Sequence, residues 1–158
     1  MDRTQARVVT GRIIFVVVAL TVFALDRLTK TIVGTQVAIG TEVPVVDHIV
    51  GITNLHNSGA AFGVAPAAAG VFLIASIAVS IGLAIYVFRN QGTELMYAVL
   101  GLVMGGTVGN AYERLVNGTV TDWINFHFWP VFNVADSAVS IGVVLMIATY
   151  VLRKPDTG

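Results

Sequence analysis

Four long apolar tracts constrain this chain more than any other feature. They begin at Gly11 (IIFVVVALTVFAL, to Leu25), Ala67 (to Phe88), Leu95 (to Leu115) and Ala135 (to Leu152). Each has roughly the ~20 residues a helix needs to cross a bilayer. The chain has 158 residues, 56% of them apolar and only 11% charged, with a mean hydropathy of +0.83. Four spans leave room for two sizeable connections and no second domain. The expected fold is therefore an all-α membrane protein with one domain over residues 1–158 and spans at about 12–32, 67–88, 95–115 and 135–152. Net charge is zero and no basic patch occurs, so nucleic acid is not an expected partner. The absence of cysteine excludes disulfides, thiolate metal sites and a cysteine nucleophile.

Lysine and arginine placement sets the expected orientation. Arg3, Arg7, Arg12, Arg89, Arg153 and Lys154 fall on one side, which is read as cytoplasmic with both termini. Arg27, Lys30 and Arg114 fall on the other. The first tract follows a basic stretch as a signal peptide would, but Phe23-Ala24-Leu25-Asp26 is a poor cleavage site, so it is read as an uncleaved span. The connections Val33–Pro66 and Val116–Val134 then lie outside. The first is loosely alternating and rich in Val, Ile, Thr and Gly, which predicts a small β-rich region with turns at Gly40, Pro44 and Gly51. The second carries Trp123, Phe126, Phe128, Trp129 and Phe132, a density that suits the headgroup interface.

The polar residues within the tracts share one depth. The first tract is apolar only to Leu25, about 20 Å of helix at ~1.5 Å per residue, so crossing a ~30 Å core carries Asp26 and Lys30 into the membrane. These two are four apart and share a face. Asn110 and Arg114 repeat the spacing at the end of the third tract, and Asn133 and Asp136 open the fourth. With tracts one and three running outward and four inward, all six converge at the outer leaflet, with Asp122 nearby. Ionisable groups at membrane depth usually mark function. A structural reading stays open: Asn133 suits an N-cap, Asp136 the first helical turn, and Asp26–Lys30 a simple pair. Gly101, Gly105 and Gly109 on helix three, and Ser76, Ser80 and Ala84 on helix two, are small residues spaced for close helix packing.

Two acids at a membrane surface suggest one chemistry. If Asp122 and Asp136 face each other, they share a proton. The ionised member could take a proton from an attacking water while the protonated one donates to a peptide carbonyl. The titration would belong to the pair. His48, His56 and His127 have no metal-ligand spacing, so no metal or other cofactor is expected. A Ser58–Lys30 dyad, a small channel or transporter, and a non-catalytic scaffold are the rivals. A channel predicts polar residues spread through the membrane depth, whereas here they cluster at one leaflet.

The blocks DRLTK (Asp26–Lys30), NSGAAF (Asn57–Phe62), GGTVGNAYERL (Gly105–Leu115), and VTDWINF followed by FNVADSAVSIG occur in this order across the spans. In these blocks, and over nearly the whole chain, the sequence resembles the bacterial lipoprotein signal peptidases (signal peptidase II). The resemblance implies that Asp122 and Asp136 are a catalytic pair in a metal-free site. It places Asp26, Asn110, Arg114 and Asn133 around the pair, with Asn57 and Gly59 in a substrate-facing outer loop; Lys30, one turn from Asp26, is expected to orient and neutralise the site with it and not to react. The implied substrate is a prolipoprotein whose lipobox cysteine carries diacylglycerol, cut just before that cysteine at the outer face of the bacterial inner membrane. Membrane lipids and cyclic-peptide inhibitors of the globomycin kind are the other implied partners, and a monomer is expected. Two departures stand out. Glu113 replaces the usual aspartate of the third block, which is expected to alter only the outer pairing, and Trp123 stands where phenylalanine is frequent.

Overall fold

The computed structural model describes residues 2–59 and 67–152. The elements run α1 (Arg3–Gln36), β1 (Glu42–Val46), β2 (Val50–Asn57), α2 (Ala67–Arg89), α3 (Glu94–Asn117), β3 (Val120–Asn125) and α4 (Val134–Val151). All four helices are long and apolar enough to cross a membrane. Three short strands form one antiparallel sheet in the order β1-β2-β3. A mainly helical chain with four candidate spans and a small sheet is what the tracts implied. Arg153, Lys154 and Pro66 lie outside the described residues.

α3 is the central helix, and α1, α2 and α4 pack on it. The buried residues of α1, Gly11, Phe15, Val22, Asp26, Lys30 and Val33, recur at helical spacing along one stripe. Its other faces expose Ile13, Val17, Leu20, Leu28 and Ile32. In lipid such exposure costs nothing, so close packing and interhelical polar bonds must hold the bundle. The α3 glycines allow that approach. A Cβ on Gly101 would lie 2.8 Å from the Phe15 carbonyl oxygen, and one on Gly105 would lie 2.5 Å from that of Ala19. Gly106 meets the Ala135 backbone on the α4 side in the same way.

Gly105→Ala therefore sets a helix-propensity gain of about 1 kcal/mol against overpacking of about 1–3 kcal/mol. Because the obstacle is backbone, overpacking should prevail, and a lower Tm in detergent is expected. Gly34→Ala, with nothing among the described residues within 4 Å of the new methyl, should leave Tm unchanged or raise it.

Local signals set the helix ends. Thr93 caps α3 by accepting from the Met96 N–H at 3.2 Å, and Gly118 ends that helix in the left-handed region at φ 73°. At the opposite end from the sheet, Arg12 donates to the Phe88 carbonyl at 2.8 Å and ties α1 to the end of α2.

The predicted turns are partly corrected. Gly40 does lie in a turn, with φ 76°. Pro44 and Gly51 instead face each other as partners in the β1–β2 ladder. Proline is tolerated because β1 is an edge strand, with a register shift just beyond it. The hairpin turns at Asp47–Ile49, with His48 at φ 59°. The aromatic-rich second connection contains β3, which its aromatics obscured.

Candidate active site

Backbone pairing brings the site together. β2 lies against β3 with Leu55 opposite Asp122 and Asn57 opposite Val120. Asn54, buried in β2, donates to the Val37 carbonyl at 2.8 Å and fastens the sheet to the end of α1. After β3 the chain folds back. The N–H groups of Trp123 and Ile124 donate to the Phe132 carbonyl at 3.0 and 2.8 Å, and the Phe132 N–H returns to Ile124 at 3.2 Å. This closure sets the start of α4 beside β3. There Asn133 and Asp136 form a capping box: the Asn133 side chain accepts from the Asp136 N–H, and the Asp136 carboxylate accepts from the Asn133 N–H.

Asp122 and Asp136 belong to one hydrogen-bonded cluster. Asp122 accepts from Asn57 Nδ2 at 2.8 Å and from Asn133 Nδ2 at 2.7 Å. Asp136 accepts from Asn110 Nδ2 at 2.7 Å. Each of these three amides is oriented by a donor on its oxygen. Asn57 Oδ1 accepts from the Gly59 N–H at 2.7 Å, Asn133 Oδ1 from the Asp136 N–H at 2.9 Å, and Asn110 Oδ1 from Lys30 Nζ at 2.8 Å. An amide whose oxygen is engaged must turn its N–H groups the other way. The two carboxylates thus face a fixed set of donors and do not depend on freely turning side chains.

Behind this layer lies a buried ionic cluster. Lys30 Nζ is 2.9 Å from Asp26 Oδ2 and 3.0 Å from Glu113 Oε2. Asp26 Oδ1 accepts from the Ala135 N–H at 3.0 Å, so a carboxylate on α1 caps the first turn of α4. Glu113 also accepts from the Thr121 hydroxyl at 2.7 Å and lies 3.6 Å from Arg27. Sequence reasoning missed Thr121 and Arg27 and placed Glu113 only in the outer pairing. Its one available signal was position: Thr121 precedes Asp122 and Arg27 follows Asp26.

The remaining site residues lie at the same end. Arg114 stacks its guanidinium over the Phe72 ring at 5.3 Å, linking α3 to α2. Gly59 has φ 80°, and a Cβ there would lie 2.6 Å from the Phe72 ring, so glycine is required twice over. Ala60, Ala61 and Phe62 of the same block lie outside the described residues. His127, read as a surface residue, is 3.0 Å from Glu42 on β1.

Burial pushes the Asp122 carboxyl up to about 6; the Asn57 hydrogen bond opposes this and the nearby Asp136 charge adds to it. The Ser58–Lys30 dyad loses its base, because all three ammonium donors of Lys30 already point at Asp26, Asn110 and Glu113. Among the described residues, the buried polar and charged side chains are Asp26, Lys30, Asn54, Asn110, Glu113, Thr121, Asp122 and Asn133, all at the sheet end of the bundle. A path through the membrane would need polar groups below them. Among the described residues no group of three or more His, Asp or Glu side chains is arranged to hold a metal ion.

Comparison with known proteins identifies the family. Residues 18–152 match the family described as signal peptidase (SPase) II. A lipoprotein signal peptidase from Desulfitobacterium hafniense is 40% identical over 134 residues, 84% of this chain and 89% of that protein. Those of Halothermothrix orenii and Bacillus subtilis are 35% and 34% identical, over 83% and 88% of this chain and 90% and 94% of their own lengths. A bacterial membrane enzyme solved by the in meso method at 2.3 Å has a TM-score of 0.80 at 29% identity, covering 91% of this chain and 93% of its own. A second, at 1.9 Å, gives 0.80 at 30% identity, covering 89% and 94%. With the family match running from the middle of α1 through both aspartates to the end of α4, this chain belongs to the signal peptidase II family of membrane proteases.

Proposed function

We propose that this protein is an aspartic endopeptidase that removes the signal peptide from diacylglyceryl-modified prolipoproteins, cutting just before the lipidated cysteine. The observation that carries the reading is the placement of Asp122 and Asp136 in one donor-lined cluster at the sheet end of a four-helix bundle. A substrate whose acyl chains stay in the bilayer holds its scissile bond at that depth. On this reading the sheet end faces outward and both termini face the cytoplasm, as the placement of Arg3, Arg7, Arg12 and Arg89 supports. The whole chain acts as one domain and as a monomer, and globomycin-like cyclic peptides would compete for the same cluster.

In this mechanism Asp136, ionised, takes a proton from water as the water oxygen attacks the peptide carbonyl carbon. Asp122, protonated, gives its proton to the carbonyl oxygen, and a tetrahedral diol forms. Collapse breaks the C–N bond. The amine leaves with the proton held by Asp136, and a diol hydroxyl returns its proton to Asp122, which restores the pair. The sheet can align an extended peptide by backbone pairing, while Gly59 keeps the approach open. Asp26, Lys30, Asn57, Asn110, Arg114 and Asn133 position and neutralise; none of them reacts.

The pH dependence follows from the pair, in which burial and the nearby Asp136 charge raise the Asp122 carboxyl. A carboxyl raised to about 6 stays protonated below that pH and loses its proton above it, so kcat/KM should decline as pH rises through about 6. Purified protein is assayed with diacylglyceryl-modified prolipoprotein in the presence of a chelator. Cleavage insensitive to the chelator, with that declining limb, is expected. Chelator-sensitive cleavage, or a flat profile to pH 8, would overturn the assignment.

A further inference from the structure

Among the described residues Lys30 is the best-connected cation, yet none of its three bonds goes to Asp122 or Asp136. Its ammonium is held by Asp26 on its own helix and Glu113 on α3, and the third contact is Asn110 Oδ1 at 2.8 Å. Glu113 is steadied in turn by Thr121 of β3 and by Arg27. Three elements therefore fix where Lys30 points.

The orientation of Asn110 depends on that direction. An asparagine amide has two orientations of nearly equal shape, and only the pattern of donors and acceptors chooses between them. Turned over, Asn110 would set its NH2 against an ammonium and its oxygen against the Asp136 carboxylate. Lys30 forbids that orientation. The other donor to Asn110 Oδ1, Asn133 Nδ2, is longer at 3.3 Å and is shared with Asp122.

We propose that Lys30 is a positioning residue for peptide hydrolysis: its ammonium locks the Asn110 amide so that Nδ2–H faces Asp136 and holds that carboxylate where it meets the attacking water. The inference rests on the endopeptidase reading above and assigns a route within it. The charge of Lys30 is largely cancelled by Asp26 and Glu113, so it acts by direction more than by field. Asn57, which bonds Asp122 from the other side, lies outside this route.

The test is a pair of double-mutant cycles read on lipidated prolipoprotein. Lys30→Met should lower kcat by about 10- to 100-fold through misplacement of the base, with KM within about twofold. In an Asn110→Ala background the same substitution should cost no more than about twofold, whereas in an Asn57→Ala background it should keep its full cost. An undiminished loss in the Asn110→Ala background would overturn the proposal, because Lys30 would then act by another route. If Lys30→Met does not fold, Asp26→Asn/Lys30→Met/Glu113→Gln removes the cation together with both anions. Adding Asn110→Ala to that variant should change kcat by no more than about twofold; a tenfold or greater loss would again overturn the proposal. Wild-type protein runs in the same assay, and its failure to cleave would reject the endopeptidase reading itself.

Discussion

Asp122→Asn is expected to lower kcat by about 10³- to 10⁴-fold while the protein stays folded in the membrane. The amide has the shape of the carboxyl group but has no proton to give to the carbonyl oxygen. Two opposing structural effects accompany the change. Both Asn57 and Asn133 donate to Asp122, so one end of the introduced amide would meet a donor, at a cost of about 1–3 kcal/mol. Against that, the variant no longer buries a carboxyl that can ionise, and the burial that raises Asp122 shows that this is unfavourable. Tm should therefore move little. A kcat measured beside a thermal melt separates lost chemistry from lost fold, and a kcat within tenfold of wild type would remove Asp122 from the mechanism.

Asp26→Ala is expected to give the largest loss of stability. It leaves Lys30 with one carboxylate in place of two and takes the acceptor from the Ala135 N–H at the start of α4. Removing one partner from a buried ionic cluster costs up to about 3–5 kcal/mol. Glu113 still pairs with Lys30, so the loss comes from the weakened cluster, the freed Ala135 N–H, which has no water to turn to, and the cavity left at the site. Asp26 is fully buried. Asp26→Asn keeps an oxygen for Ala135 and should recover part of the loss. The comparison is read as Tm in detergent; equal melting of wild type and Asp26→Ala would mean that the cluster does not hold α1 to α4.

Much of this site was legible from spacing. Asp26 and Lys30 are four apart on one helix, and Asn133 and Asp136 carry the capping-box spacing, so helical geometry alone placed each pair. Their shared depth followed from alternating helix direction. Contacts that cross between elements were not legible. Asn57 reaches Asp122 only because β2 and β3 adopt one register, which has a shift between Ile52 and Leu55. Thr121 reaches Glu113 because Gly118 turns the chain back at positive φ. The hairpin turn at Asp47–Ile49 contains neither glycine nor proline, and the proline that seemed to mark a turn sits on a sheet edge, where a missing N–H costs little. β3 was hidden because aromatics suit a strand and a membrane interface equally well.

The role of the aspartate pair is decided by cleavage of a diacylglyceryl-modified prolipoprotein by purified wild-type protein beside Asp136→Asn, with the product identified by mass. Wild type should release a mature protein beginning at the lipidated cysteine, and Asp136→Asn, equally well folded, should release none. Equal cleavage by both proteins, or none by well-folded wild type, would contradict that role.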